Sequence, residues 1–447
     1  MQIRSVSKPE QHLQNLLAGS GSLSAFSFSH RAFYLDEAPT KVLLAVCDPT
    51  NAELVLSADC PEARHTLDEW SDSGCLHSLA DTLAVPVLEL GCAISLVPVV
   101  ILKPWGREIW YTGMEVRGQS GVGTTDRSIP LPWLLEVMPG AYADGNPEAM
   151  ILLKVLDPLA DEVFGDLYFE MHERKQEVYV VTHVDQRAWP DGIGGIRFGF
   201  SDQLRAQYGS DQAFKDAFEQ AVARYEAVRR DIDARIDTIK LGVGIDVNEP
   251  VPPSTQIAWL QQIDAKLLAQ EESLRHTMES FSKVLPLKIG DVVKVPCYTP
   301  HSLQHGVRTV EFQTPVYERK ILAFAQKVLT QPHWDTREAL EKVVLDAEMP
   351  ALDEGEEAVA GILCQQVVDF DDFAVWRLRA HKHSEMSLAK LSAYRLVMAI
   401  TGGVSLRGRV LTAEQAVLCP ALARPDQVLK LEKGAVALIA APKSKIS

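Results

Sequence analysis

No two of the seven cysteines form a C-x-x-C pair, and their scatter from Cys47 to Cys419 outlines neither a disulfide framework nor a zinc knuckle. The expectation is reduced thiols in a cytoplasmic protein. Long apolar runs are missing too. The longest, residues 97–102, falls far short of the roughly 20 residues a membrane helix needs. Residues 1–14 are polar and lack the apolar stretch of a signal peptide. Positive charge is in deficit: 44 Lys and Arg face 60 Asp and Glu, a formal net charge of −16. That balance argues against a nucleic-acid partner. It leaves room for an anionic small substrate, because a few local cations reverse the potential of one cleft. Glycine and proline are not inflated, at 27 and 25 of 447 residues, and no repeat period appears. Collagenous, low-complexity and solenoid architectures are therefore set aside.

What is present is mainly β patterning. Residues 1–95 read as a small β-containing unit of unknown role, with strands near 41–47 and 53–56 separated by Asp48, Pro49 and Asn51. His30, His65 and His77 lack ligand spacing and read as ordinary histidines. Residues 99–103 and 108–112 are strands around the Pro104-Trp105-Gly106 corner, with Trp105 either core or pocket wall. Residues 131–137 form a short helix before Pro139 and Gly140. Strands resume at 150–156.

Residues 210–284 change character. Phe214, Phe218, Ala221, Tyr225, Val228, Ile232, Arg235 and Ile239 follow a heptad stripe, broken only by Arg235. A second helix from Ser254 carries Ile257, Leu260, Ile263, Leu267, Leu274, Met278 and Phe281 on one face. This predicts an antiparallel helical hairpin at 204–285, inserted between the two parts of a barrel at 96–203 and 286–332. A helix capped by Asp335, running to about residue 349, and an acidic linker occupy 333–360. Residues 361–447 read as a second, smaller β domain.

The chemistry concentrates in two stretches. Glu170 and His172 alternate, so they share one face of a strand, and a hairpin would bring Glu177 beside them. Farther on, Gly290, five residues, Pro296, four residues and His301 read as strand, tight corner and strand. Glu170-x-His172-x4-Glu177 with Gly290-x5-Pro296-x4-His301 resembles the paired motifs of the cupin barrel, whose two hairpins share one metal. A metal cupin interrupted by helices and followed by a smaller β domain resembles the class I mannose-6-phosphate isomerases, from about Pro104 to the C-terminus. Lys154, Glu170, His172, Lys175, Glu177, Gly290, Asp291, His301, Glu311 and Arg319 carry that resemblance.

The resemblance implies a jelly-roll cupin with Glu170, His172, Glu177 and His301 as ligands of one divalent metal. Zinc is the first choice, with iron, manganese and nickel as alternatives. It implies an aldose–ketose isomerase acting on a small anionic sugar phosphate, with Lys175, Glu311 and Arg319 as candidate catalytic residues. Each also has a plainer reading: Lys175 as a solvated hairpin-tip lysine, Glu311 as a sheet-edge charge, Arg319 as a strand-end ion-pair partner. Arg319, Lys320, Lys154 and Lys103 are candidate phosphate cations. The chain departs from the family pattern in four places. Glu stands at 170 where Gln is usual, only Glu173 to Gln176 separate His172 from Glu177, the Glu311 to Arg319 spacing is short, and about 90 residues precede the shared region. A non-catalytic metal cupin that senses a sugar or metabolite is the alternative function. His305 reads as lying beyond a turn, His183 as a core histidine, and His381, His383 and Glu385 as a solvated loop. The oligomeric state is left open.

Overall fold

The computed structural model describes residues 1–19, 21–70, 75–349, 351–389 and 391–443. Among them, two facing sheets build a jelly-roll barrel. The larger has six strands in the order Val292–Val295, Glu177–Val184, Val307–Gln313, Leu152–Pro158, Gly106–Trp110 and Val99–Lys103. The smaller has five, in the order Ser282–Leu287, Gly194–Phe200, His301–Leu303, Phe169–Met171 and Lys320–Ala323. The fold is mainly β: a cupin barrel with an inserted helical hairpin and a second, smaller β domain.

The larger sheet is covered on both faces, which is why its strands read as nearly continuous apolar runs. On the outer face, Leu153, Val155, Val178, Val180, Val310 and Phe312 join a core shared with the N-terminal unit, the helix Leu131–Val137 and the C-terminal sheet. On the inner face, Leu156, Tyr179 and Val181 pack with Trp105, Tyr168, Phe198 and Ile321. The C-terminal strands form a second pair of sheets, and Ile94–Val97 pairs with Ala416–Cys419, tying the start of the barrel region to that domain.

The helical insertion lies against the outside of the smaller barrel sheet. Phe214, Phe218, Met278 and Phe281 pack on Phe169, Phe200 and Leu322. Asp211–Gly242 is one long helix, but its buried face leaves the predicted stripe: after Tyr225 it passes through Arg229, Ile232, Ile236 and Lys240, and Arg235 is exposed. An unsupercoiled helix keeps 3.6 residues per turn, so a heptad reading drifts off its buried side. The second helix is two helices, Pro253–Leu260 and Ala265–Glu279, because the Asp264 side chain caps the latter by accepting from the Lys266 and Leu267 amides. The helix after Asp335 is also shorter than expected, Thr336–Lys342. Asp335 does not cap it; its carboxylate accepts from the Ile321 amide at 2.9 Å instead.

The N-terminal unit combines a sheet containing Ser24–Arg31, Thr40–Asp48 and Glu53–Ala58 with the helices Pro9–Ala18, Pro61–Trp70 and Leu76–Leu83. All seven cysteines are free. Among the described residues, no helix is long and apolar enough to cross a membrane.

Candidate metal centre

Alternation sets the first motif. Phe169 points outward, its ring edge-on to Phe200 and Phe218, while Glu170 turns the other way, toward the barrel. The second motif arrives by direct pairing, since Glu170 and His301 are Cα partners across adjacent antiparallel strands. Gly290 makes the turn before it at φ +89°, a conformation that glycine adopts without strain, and its amide donates to the Val181 carbonyl at 2.8 Å. The corner is fastened to the first motif by the Tyr298 amide, which donates to the His172 carbonyl at 2.7 Å.

One sequence expectation is corrected. Glu177 does not reach Glu170 and His172 through a two-stranded hairpin. The strands Phe169–Met171 and Glu177–Val184 belong to opposite sheets of the barrel. Residues 173–176 cross between them, held by Glu318, whose carboxylate accepts from the Glu173 and Arg174 amides at 2.9 and 3.1 Å. Glu177 therefore faces Glu170, His172 and His301 across the barrel.

The four side chains meet. Ligand atoms of Glu170, His172 and His301 all lie within 4.8 Å of one another. Glu177 sits between the imidazoles, 3.4 Å from His172 Nε2 and 3.1 Å from His301 Nε2. Its oxygens are also engaged by Lys175 Nζ at 2.5 Å and by the Tyr179 hydroxyl, which donates at 2.6 Å. Each imidazole is oriented from behind: Nδ1 of His172 lies 2.8 Å from the Glu318 carbonyl, and Nδ1 of His301 lies 3.1 Å from that of Thr299. Bonds of this kind fix the tautomer and aim Nε2 inward. His172 Nε2 and Glu170 Oε2 are buried and have no hydrogen-bond partner among the described residues. Buried polar atoms without a hydrogen bond are rare and costly. Two such atoms beside a second imidazole fit a divalent cation with mixed nitrogen and oxygen donors.

Charge continues below the centre. Lys154 and Glu311 are directly paired across neighbouring strands, with Nζ 3.3 Å from Glu311 and 3.8 Å from Glu108. Lys103 holds the other side of Glu108 at 3.1 Å. Burial pushes the Glu311 carboxyl well above the usual range, against the pull of Lys154. Burial also pushes Glu177 up, but Lys175 and the imidazoles outweigh it and hold that carboxyl well below the usual range.

A cavity of about 290 Å³ adjoins the centre at Glu170 and Lys175, with Arg319, Lys154 and Lys103 also in its wall. The Arg319 guanidinium lies over the Tyr168 ring at 4.7 Å and 3.7 Å from Glu170. Glu311 belongs instead to a small inner pocket of about 30 Å³, shared with Trp105 and Tyr179. Lys320 is absent from the cavity wall and pairs with Glu338 at 2.7 Å, which removes it as a phosphate cation. His305 is buried at the turn, bonded to Asp166 at 2.8 Å and stacked on Trp189. His183 is exposed, not core, because a bulge between Val181 and His183 turns it outward. His381 and His383 are exposed and face Glu357 and Glu432. Phe33 and Tyr34 also line the cavity, and sequence reasoning missed them. Their signal was an adjacent aromatic pair at a hairpin tip before Asp36 and Pro39.

A jelly-roll barrel with two inward imidazoles and facing carboxylates is a cupin barrel that carries a candidate metal centre. Among solved structures, the chain is similar to the mannose 6-phosphate isomerase from Bacillus subtilis, at 15% identity over 78% of this chain and 99% of that one, with a TM-score of 0.51. It is also similar to the apo form from Salmonella typhimurium, at 13% identity over 79% and 99%, TM-score 0.52. A zinc-bound holo mannose 6-phosphate isomerase matches at 13% identity over 79% and 100%, TM-score 0.53. The chain thus has the mannose 6-phosphate isomerase fold, and about a fifth of it lies outside the match. No family model and no curated protein matches the sequence.

Proposed function

We propose that the protein is a metal-dependent aldose–ketose isomerase acting on a sugar phosphate, of the mannose 6-phosphate to fructose 6-phosphate type. One observation carries the reading: ligand atoms of Glu170, His172 and His301 lie within 4.8 Å of one another, two of them buried without a hydrogen bond, and Glu170 also lines a cavity walled by lysine and arginine. Glu170, His172, Glu177 and His301 would hold one divalent metal, zinc first. Bound there, it supplies Lewis-acid polarisation of substrate oxygens.

The protein's own groups supply the rest. Isomerisation moves a proton between neighbouring carbons through an enediol, which needs a positioned acid or base. Lys175 Nζ, in the cavity wall and bonded to Glu177, is placed to hold or pass that proton. Arg319, fixed over Tyr168, presents a guanidinium to substrate oxygens. Glu311 sets the charge beneath the centre through Lys154. Lys103 and Lys154 add positive charge for the phosphate.

A second reading, a metal cupin that senses a sugar or metabolite without turnover, draws on Glu170. Two glutamates and two neutral histidines cancel the charge of a divalent ion, weakening its pull on substrate oxygen. The test is elemental analysis followed by an isomerase assay with mannose 6-phosphate. About one metal per chain, with turnover abolished by a chelator, is the expected result. Metal present with thermal stabilisation by mannose 6-phosphate and no turnover would establish the sensor instead.

A further inference from the structure

We propose that the N-terminal unit completes the substrate site. Phe33 and Tyr34, in the loop between Ser24–Arg31 and Thr40–Asp48, form the wall against which the apolar face of the sugar packs. They thereby help select which sugar phosphate is accepted. The proposal rests on the isomerase reading for the identity of the substrate, but not for the existence of the wall.

Both residues line the same cavity as Glu170, Lys175 and Arg319, although they are more than 130 positions away in the chain. The loop is built rather than loose. The Ala32 amide donates to the Pro39 carbonyl, Leu35 to Ala32, and Ala38 to Leu35. The Phe33 and Tyr34 rings meet edge to face at 5.2 Å. Behind them His30 is 1% exposed, with Nε2 3.3 Å from the Tyr34 hydroxyl and Nδ1 3.0 Å from Glu136 on the helix Leu131–Val137. A histidine with a partner on each ring nitrogen thus ties the loop to the body of the protein.

The unit itself cannot drift away from the barrel without opening a core. Phe26, Phe28, Leu43 and Leu56 are fully buried in one cluster with Leu131, Leu134, Val178 and Phe312. Much of the cavity wall is charged. Small-molecule sites pair a few oriented polar groups with aromatic surface, and the C–H face of a sugar ring suits such surface. Trp110 and Tyr317 also line the cavity, and Phe33 and Tyr34 add aromatic surface from a segment that belongs to neither barrel sheet.

The test uses the full-length, metal-loaded protein and the variants Phe33→Ala, Tyr34→Phe and the double variant Phe33→Ala/Tyr34→Ala. Both side chains are only partly buried, so the fold should persist, and a thermal melt checks it. With mannose 6-phosphate, KM of the double variant is expected to rise about tenfold, with kcat changing far less and metal content unchanged. Tyr34→Phe should show a smaller rise. A second readout does not depend on turnover: dipicolinate should strip metal several-fold faster from the double variant, because its cavity is wider. A folded, metal-replete double variant with wild-type KM and wild-type stripping rate overturns the proposal. If the wild type does not turn over mannose 6-phosphate, the isomerase reading fails alone. The stripping rate then decides the wall: faster stripping supports it, and an unchanged rate overturns it.

Discussion

Replacing Lys154 with methionine removes the one cation that pairs with Glu311 among the described residues, and the geometry says what that costs. The two residues are paired across adjacent strands, Lys154 Nζ lies 3.3 Å from Glu311 Oε2, and both are nearly fully buried. Neither Glu311 oxygen has a hydrogen-bond partner among the described residues. At an effective dielectric of about 20, two unit charges at that separation would attract by about 5 kcal/mol, but burial raises the Glu311 carboxyl against the pull of Lys154, so the pair realises only part of that. The net loss is smaller, because Glu311 will take up a proton rather than stay charged and alone, and because Lys154 no longer has to be desolvated. Breaking a buried pair by removing one partner costs about 3–5 kcal/mol, so Lys154→Met should destabilise by about 3 kcal/mol at neutral pH. Glu108 is spared the same fate because Lys103 still holds it at 3.1 Å. The double variant Lys154→Met/Glu311→Leu should recover most of the loss, giving a coupling of about 2 kcal/mol. Urea unfolding of the four proteins at matched metal content measures this. A single variant within about 1 kcal/mol of wild type, or a double variant as unstable as the two singles summed, would show that the charge ladder is not what holds Glu311.

His172→Ala and His301→Ala should each lower metal content well below one per chain by elemental analysis; full retention in either variant removes that residue from the ligand set. Glu170→Gln should keep the metal at reduced affinity and raise turnover, since one negative charge leaves the centre; unchanged affinity and rate would show that Glu170 answers only to Arg319, 3.7 Å away. Asp166, bonded to His305 and buried, is pushed up by burial but held below the usual range by His305. A carboxyl lowered in the folded state stabilises above its unfolded pKa of about 3.9 and loses that contribution as acid protonates the folded form. Asp166→Asn should therefore be less stable at neutral pH, with the gap to wild type closing on acidification. A constant gap from pH 7 down to 3 would contradict that assignment.

Some of this was written locally in the chain. The Glu170 and His172 alternation, the Gly290 turn and the apolar strands of the larger sheet depend on period two and on turn chemistry, which act over a few residues. The helical insertion was legible for the same reason, but its breaks were not. Asp264 and Asp335 are the same residue type in similar contexts. Which one caps a helix was decided by the Ile321 amide, a partner 14 positions from Asp335. His183 was misread because a bulge changes the face of every residue beyond it, and alternation alone does not show a bulge.

By itself, then, the chain's order of residues determined which side chains could serve a metal and which segments become strands, because those choices are made by neighbours in sequence. Closure of the barrel decided that Glu177 faces Glu170 from the opposite sheet, that Lys154 meets Glu311, and that Phe33 and Tyr34 reach the cavity. The last two are meetings of residues far apart in the chain, and burial of the core shared by the larger sheet and the N-terminal unit brings them about.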